Sequence, residues 1–119
     1  RHNMKILGLE GFGTEGYTPV PYEFDYAGLV DASYAVPGEN LGMSSVTQRY
    51  YLGPCRENAD YLAGMQYLED HREEILELIQ VFPYLGEKAK NKAIGYIESY
   101  FAATAQPNFI KNELMPTCR

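Results

Sequence analysis

The feature that most constrains the fold of this chain is a change of composition near residue 44. Residues 1–43 hold seven of the eleven glycines, together with Pro19, Pro21 and Pro37. Glycine and proline interrupt regular elements, so this segment favours turns and extended chain. Residues 44–119 instead space their apolar side chains as helices do. We therefore predict two unlike regions, an extended Gly/Pro/Tyr-rich arm over residues 1–43 and a helical domain over residues 44–119.

The arm is too apolar to be a free linker. Aromatic and aliphatic residues recur along it from Phe24 to Val36. A long structureless segment is uncommon in a compact domain, so we expect the arm to pack against something. Its own helices and a partner protein are both open at this point, and they do not exclude each other.

Three breaks divide the helical domain, at Gly53-Pro54, Pro83 and Pro107-Asn108. Ser45-Val46-Thr47-Gln48 is a capping box, which predicts a short helix to about Leu52, stopped by Gly53-Pro54. Apolar residues at spacings of three and four then predict a long amphipathic helix from about Cys55 to Phe82, ended by Pro83.

A second long helix is predicted from about Glu87 to Ala105, and a last short one from about Phe109 to Met115. The linker over residues 83–86 is short, which makes the two long helices an antiparallel hairpin. The predicted fold is thus all-α. It is a small helical bundle built on a long antiparallel hairpin with two short flanking helices, preceded by an extended irregular N-terminal arm.

The chain has two cysteines, Cys55 and Cys118. At about 1.5 Å per residue, the first long helix runs out roughly 40 Å and the second returns roughly 30 Å, so the last helix starts near Cys55. A disulfide between the two cysteines and a pair of free thiols both remain open. A bond would favour a processed organellar or secreted protein. The start Arg1-His2-Asn3 before Met4 fits either a tag remnant or a cleaved precursor.

The charge balance argues against a nucleic-acid partner. Ten basic and 16 acidic side chains give a formal net charge of −6, whereas phosphate binding needs a basic surface. No stretch approaches the roughly 18 apolar residues of a membrane span, which leaves only peripheral association with a membrane.

Two motifs suggest a cofactor or a metal, and each lacks its required context. Residues 11–16 spell a literal GxGxxG, but the prolines at 19 and 21 forbid the helix that a dinucleotide site needs next. His71 stands three residues from Glu74, a spacing used by di-iron bundles, without a second such pair on another helix. We therefore predict no catalytic centre, no cofactor and no metal.

Cys55 carries the alternative of an enzyme or thiol-dependent redox protein. At the start of a helix, beside Arg56, its thiolate would be favoured. No histidine is placed in sequence to act as its base, so a disulfide half or a buried thiol is the simpler interpretation.

Tyrosine is over-represented, with eleven Tyr and no Trp. Tyrosine combines a large contact area with a polar tip and is enriched at interfaces. We predict a non-enzymatic accessory or adaptor subunit that docks on a larger protein complex through the arm and an aromatic helix face. The predicted contact residues are Tyr22, Phe24, Tyr26, Tyr34, Tyr50 and Tyr51.

The layout of an irregular arm with Pro and Tyr ahead of a helical bundle resembles that of extrinsic subunits of photosynthetic complexes. That resemblance implies docking on a membrane-bound assembly. A secreted effector or inhibitor that binds a protein target is a further alternative, since it also needs no catalytic groups.

Overall fold

The computed structural model describes residues 4–8 and 17–119. Within these residues the regular elements are β1 (Met4–Gly8), β2 (Tyr17–Pro21), a 3₁₀-helix (Glu39–Leu41), α1 (Asn58–Asp70), α2 (Arg72–Val81), α3 (Glu87–Thr104) and a π-helical turn (Ile110–Leu114). The fold is therefore mixed, with helices and a small sheet. The prediction of an all-α bundle built on a long hairpin behind an irregular arm is wrong.

The two strands form an antiparallel pair in the segment predicted to be irregular. Met4 faces Pro21, Ile6 faces Pro19 and Gly8 faces Tyr17. The two prolines alternate, so both can occupy positions whose nitrogen points away from β1, where no N–H is needed. For this reason a Thr-Pro-Val-Pro stretch, typical of polyproline conformation, also fits a strand.

His71 interrupts the long helix that the apolar spacing predicts. Its backbone leaves the helical region (φ −103°, ψ 8°), and its amide bonds the Leu68 carbonyl at 3.2 Å. The imidazole Nδ1 donates instead to the Tyr67 carbonyl at 2.7 Å, the oxygen that a continuous helix would give to the His71 amide. The predicted helix over residues 55–82 is therefore replaced by α1, which begins at Asn58, and α2.

The short helix predicted from Ser45 to Leu52 is also absent. The Ser45 hydroxyl accepts from the Thr47 amide at 3.1 Å, and the Gln48 side chain accepts from the Ser44 amide at 2.6 Å. These bonds close a turn, and the chain from residue 49 to 57 has no regular structure. Too few residues precede Gly53 for helix propagation to offset the cost of nucleation.

α2 and α3 run antiparallel across the turn over residues 82–86. Arg72, at the start of α2, is paired with Glu98 late in α3, and its guanidinium lies 4.8 Å from the centre of the Phe101 ring. The prediction of a helix over residues 87–105 is confirmed to within one residue. The hairpin exists, but α2 makes it shorter than predicted.

The C-terminal helix differs in type from the prediction. Asn108 adopts a left-handed conformation (φ 63°), which turns the chain after α3. The residues that follow form a π-helical turn rather than an α-helix, and the Met115 amide bonds the Ile110 carbonyl at 2.9 Å.

The core of the described residues is small. Its buried apolar side chains are Tyr61, Ala93 and Phe101, whereas many other large apolar side chains are exposed. The radius of gyration is 16.7 Å, against about 13.5 Å expected for a compact domain of this length. The chain therefore leaves much of its apolar surface outside its own core.

A portion of the predicted arm packs on the helices. Lys92 of α3 forms an ion pair with Asp31 at 2.5 Å. At Gly28 the backbone runs close to Tyr96 of α3 and to Val46. A Cβ at this position would lie 2.5 Å from the Tyr96 hydroxyl and 2.6 Å from the Val46 carbonyl oxygen. The chain's own helices are thus one surface against which the arm packs, while its boundary at residue 43 stays a prediction.

Candidate functional site

The chain between residues 49 and 57 is fixed at both ends. Cys55 and Cys118 are joined by a disulfide, with 4.9 Å between their Cα atoms. The Arg119 amide also donates to the Gly53 carbonyl at 3.1 Å. The C-terminal residues therefore lie against the segment that leads into α1, as the hairpin geometry allows.

Arg49 fixes the other end of this segment to α3. Its guanidinium stacks on the Tyr96 ring, 4.2 Å from the centroid, and donates to the Tyr96 carbonyl and, at 2.9 Å, to the Ser99 hydroxyl. Tyr100 lies alongside, with its centroid 5.9 Å from the same guanidinium. Burial raises the pKa of Tyr100, an effect that the positive charge of Arg49 opposes.

Tyr51 and Tyr61 meet edge to face, 5.7 Å between ring centres. The Tyr51 hydroxyl donates to the Pro54 carbonyl at 2.9 Å, and the Arg56 amide donates to the Tyr61 hydroxyl at 3.0 Å. Burial, assisted by the Tyr61 hydroxyl, raises the pKa of Tyr51. A Cβ on Gly53 would lie 2.4 Å from the Tyr51 ring, so this arrangement requires glycine there.

Together these contacts form the wall of an open groove of about 520 Å³, which we name the tyrosine groove. It lies between residues 49–56, α1, α3 and the C-terminal turn. Its lining is mainly aromatic and aliphatic, with two guanidinium groups and two carboxylates. The lining residues are Arg49, Tyr50, Tyr51, Arg56, Asp60, Tyr61, Gly64, Met65, Leu68, Tyr100, Phe109, Glu113 and Leu114.

A second cleft of about 220 Å³ extends the tyrosine groove between α1, α2 and α3. It shares Arg49, Leu68 and Tyr100 with the groove and is otherwise lined by apolar side chains such as Ile75 and Ile97. The two clefts share these three residues and therefore lie next to each other on the helices. A concave, mostly apolar surface with a few polar groups is the usual form of a binding site.

Tyr50 and Tyr51, two of the predicted contact residues, line this groove. The other rings of the groove are not among the contact residues predicted from the sequence. Tyr61 and Tyr100 fit the apolar spacing of helices, which assigns them to the core or its edge. Phe109 and Leu114 join the groove because the C-terminal turn folds back, which no local pattern indicates.

The remaining predicted contact residues lie outside the lining of the groove. Tyr26 and Tyr34 pack edge to face at 6.3 Å, and Phe24 is 56% exposed. The Tyr34 hydroxyl donates to Asp25 at 3.0 Å, and this bond and the carboxylate charge raise the pKa of Tyr34. Tyr22 stacks under the Lys5 ammonium at 5.3 Å.

The other candidates from the sequence are a reactive Cys55, a metal site at His71 and the GxGxxG motif. Cys55 carries a disulfide rather than a thiol, and the described residues include no free cysteine. Residues 4–8 and 17–119 contain no group of three His, Cys, Asp or Glu side chains that could hold a metal ion. The GxGxxG motif at residues 11–16 lies outside the described residues, as do Arg1, His2 and Asn3.

No helix among the described residues is both long and apolar enough to cross a membrane. Comparison of the chain with protein-family models, with curated proteins and with solved structures finds no match in any of the three.

Proposed function

We propose that this protein is a non-enzymatic accessory or adaptor subunit that docks on a larger protein assembly. The tyrosine groove receives an apolar or aromatic segment of the partner, and the exposed rings of the arm, Tyr26 and Tyr34 among them, extend the contact. An extrinsic subunit of a membrane-bound complex, such as a photosynthetic one, is one form of this proposal.

The observation that carries the proposal is the contrast between the small core and the tyrosine groove. The protein buries Tyr61 and Phe101 but leaves Tyr50 43% exposed in a groove lined by four tyrosine rings, its own included. Exposed apolar patches rimmed by polar groups mark interaction sites. Aromatic residues in such pockets dominate the energetics of protein interfaces.

Charge indicates the kind of partner. The net charge of −6 includes an exposed acidic face on α1 and α2, formed by Glu69, Asp70, Glu73, Glu74 and Glu77. A partner with basic residues around an apolar segment would complement both this face and the groove.

Affinity measurements with two matched variants test the proposal. Tyr50→Ala removes a ring that lines the groove, and Tyr84→Ala removes a ring that is 86% exposed on the turn before α3. We expect Tyr50→Ala to weaken binding to the partner recovered from the native source at least about tenfold. Tyr84→Ala should leave the affinity unchanged. Equal affinity of both variants and the unmodified protein would exclude the groove as the docking site.

A secreted effector or inhibitor is the second candidate, favoured by the Cys55–Cys118 disulfide. Structural disulfides persist in oxidising compartments, where such proteins act. The same variants apply, with a soluble target protein in place of an assembly.

A further inference from the structure

The β-hairpin has one edge that can pair with another strand and one that cannot. The five residues of β1 are all exposed, with Ile6 62% and Leu7 52% accessible. A hairpin of two strands alone is marginally stable in water, and further strands or a packed face are needed. An additional strand on the open edge would therefore stabilise this hairpin.

The register and the prolines decide which backbone groups are free. Pro19 and Pro21 have no N–H, so the ladder bonds between the strands are made at the pairs Lys5–Val20 and Leu7–Thr18. The N–H and C=O groups of Met4, Ile6 and Gly8 then point away from β2. No other strand among residues 4–8 and 17–119 pairs with them, so they form an open edge on β1.

The outer edge of β2 is blocked by the same alternation. The backbone groups of β2 that point away from β1 belong to Tyr17, Pro19 and Pro21, and the two prolines have no N–H to donate. Proline on an outer edge prevents further strand pairing. The hairpin can therefore add one strand on the β1 side and none on the β2 side.

We propose that a second copy of this chain pairs with β1, antiparallel and centred on Ile6, to give a four-stranded sheet across a two-fold axis. In this register Met4 faces Gly8 of the other copy, Lys5 faces Leu7, and Ile6 faces its own copy. The outward backbone groups of Met4, Ile6 and Gly8 then form hydrogen bonds with the same groups of the other copy. No like charges lie opposite each other.

A second copy fits this edge because β1 is self-complementary. The described strands carry the basic Lys5 and no acidic residue, so the acidic excess of the chain is not concentrated at the pairing strand. The blocked β2 edges also close the assembly at four strands, whereas an open edge would continue into a fibre. Five residues a side make a small interface, so we expect a monomer–dimer equilibrium rather than an obligate dimer.

Cross-linking through an introduced thiol tests the register. Both native cysteines are bonded, so Ile6→Cys introduces a lone thiol. Its copy across the axis would lie about 5.5 Å away between Cα atoms, within disulfide range. The matched control is Leu78→Cys, at a residue of α2 that is 66% exposed. We expect the Ile6 variant to form covalent dimers under mild oxidation at least tenfold faster than the control.

Equal cross-linking rates in the two variants would overturn the proposal.

Sedimentation provides a second test that does not depend on cysteine. Ile6→Pro removes the central free N–H and should abolish the dimer, while Pro19→Val adds an N–H to the blocked edge and should produce larger assemblies. A protein that is monomeric up to about 1 mM, with Pro19→Val unchanged as well, would contradict pairing through β1. None of these residues lines the tyrosine groove, so the docking proposal does not depend on this result.

Discussion

At Gly28 the N-terminal segment passes close to Tyr96 of α3 and to the backbone of Val46. A Cβ there would clash with the Tyr96 hydroxyl, which can move, and with the Val46 carbonyl oxygen, which belongs to the backbone and moves less easily. The contact holds the chain near the ion pair between Asp31 and Lys92. Glycine is thus required by close packing at this position.

Alanine at Gly28 should destabilise the protein, whereas alanine at Gly95 should stabilise it. Overpacking at Gly28 costs about 1–3 kcal/mol. Gly95 lies within α3, and a Cβ at this position would meet no atom within 4 Å. Gly95→Ala should therefore stabilise the protein by about 0.5–1 kcal/mol, because alanine favours the helix more than glycine does. Chemical denaturation measures both effects. A Gly28→Ala protein that is at least as stable as the unmodified one would show that residue 28 does not pack against Tyr96 and Val46 as described.

At the scale of the elements, sequence patterns identify α3 well because a glycine precedes it and its apolar spacing is uninterrupted up to Pro107. They do not locate the break in the preceding helix. The spacing of three and four continues through His71, whose side chain bonds the Tyr67 carbonyl, and we attribute the break to this bond. Local patterns also miss the strand over residues 17–21. Its prolines fit a strand only where their nitrogen atoms point away from the neighbouring strand, and this register depends on the pairing with β1.

Replacing His71 tests this cause of the break between α1 and α2. In His71→Ala the Tyr67 carbonyl becomes free to accept the amide of residue 71, and we expect a continuous helix. Circular dichroism should show more helix, and that amide should exchange more slowly with solvent. The control is His71→Asn, whose short amide side chain can also bond nearby backbone carbonyls and should keep the break. Unchanged exchange in His71→Ala would show that the imidazole is not the cause.

The whole molecule has a small core and a long covalent loop. The disulfide joins residues 63 positions apart and holds the C-terminal turn beside the segment over residues 49–57. The disulfide thereby links the two segments that supply Tyr50 and Tyr51, on one hand, and Phe109 and Leu114, on the other, to the lining of the tyrosine groove. Tyr50 and Tyr51 could be predicted as contact residues from the sequence. The groove itself could not, because it depends on this tertiary link.

Reduction of the disulfide should strongly destabilise the protein. The entropy of a loop of this length corresponds to about 4 kcal/mol, a large share of the roughly 5–15 kcal/mol that stabilises a domain. The unfolding midpoint should fall sharply with a reductant, and the double variant Cys55→Ala/Cys118→Ala should reproduce the low midpoint without one. A midpoint that is the same in all conditions would mean that the disulfide does not stabilise the fold.

The central proposal, that the tyrosine groove is a docking surface, is tested most directly by site-specific photocross-linking. A photoreactive phenylalanine analogue would replace Tyr50 in one sample and Tyr84 in another, each added to an extract of the native source. We predict one discrete cross-linked protein from position 50, lost when Leu114→Arg places a charge in the groove, and none of it from position 84. The same product from both positions, or none from position 50, would contradict the proposal.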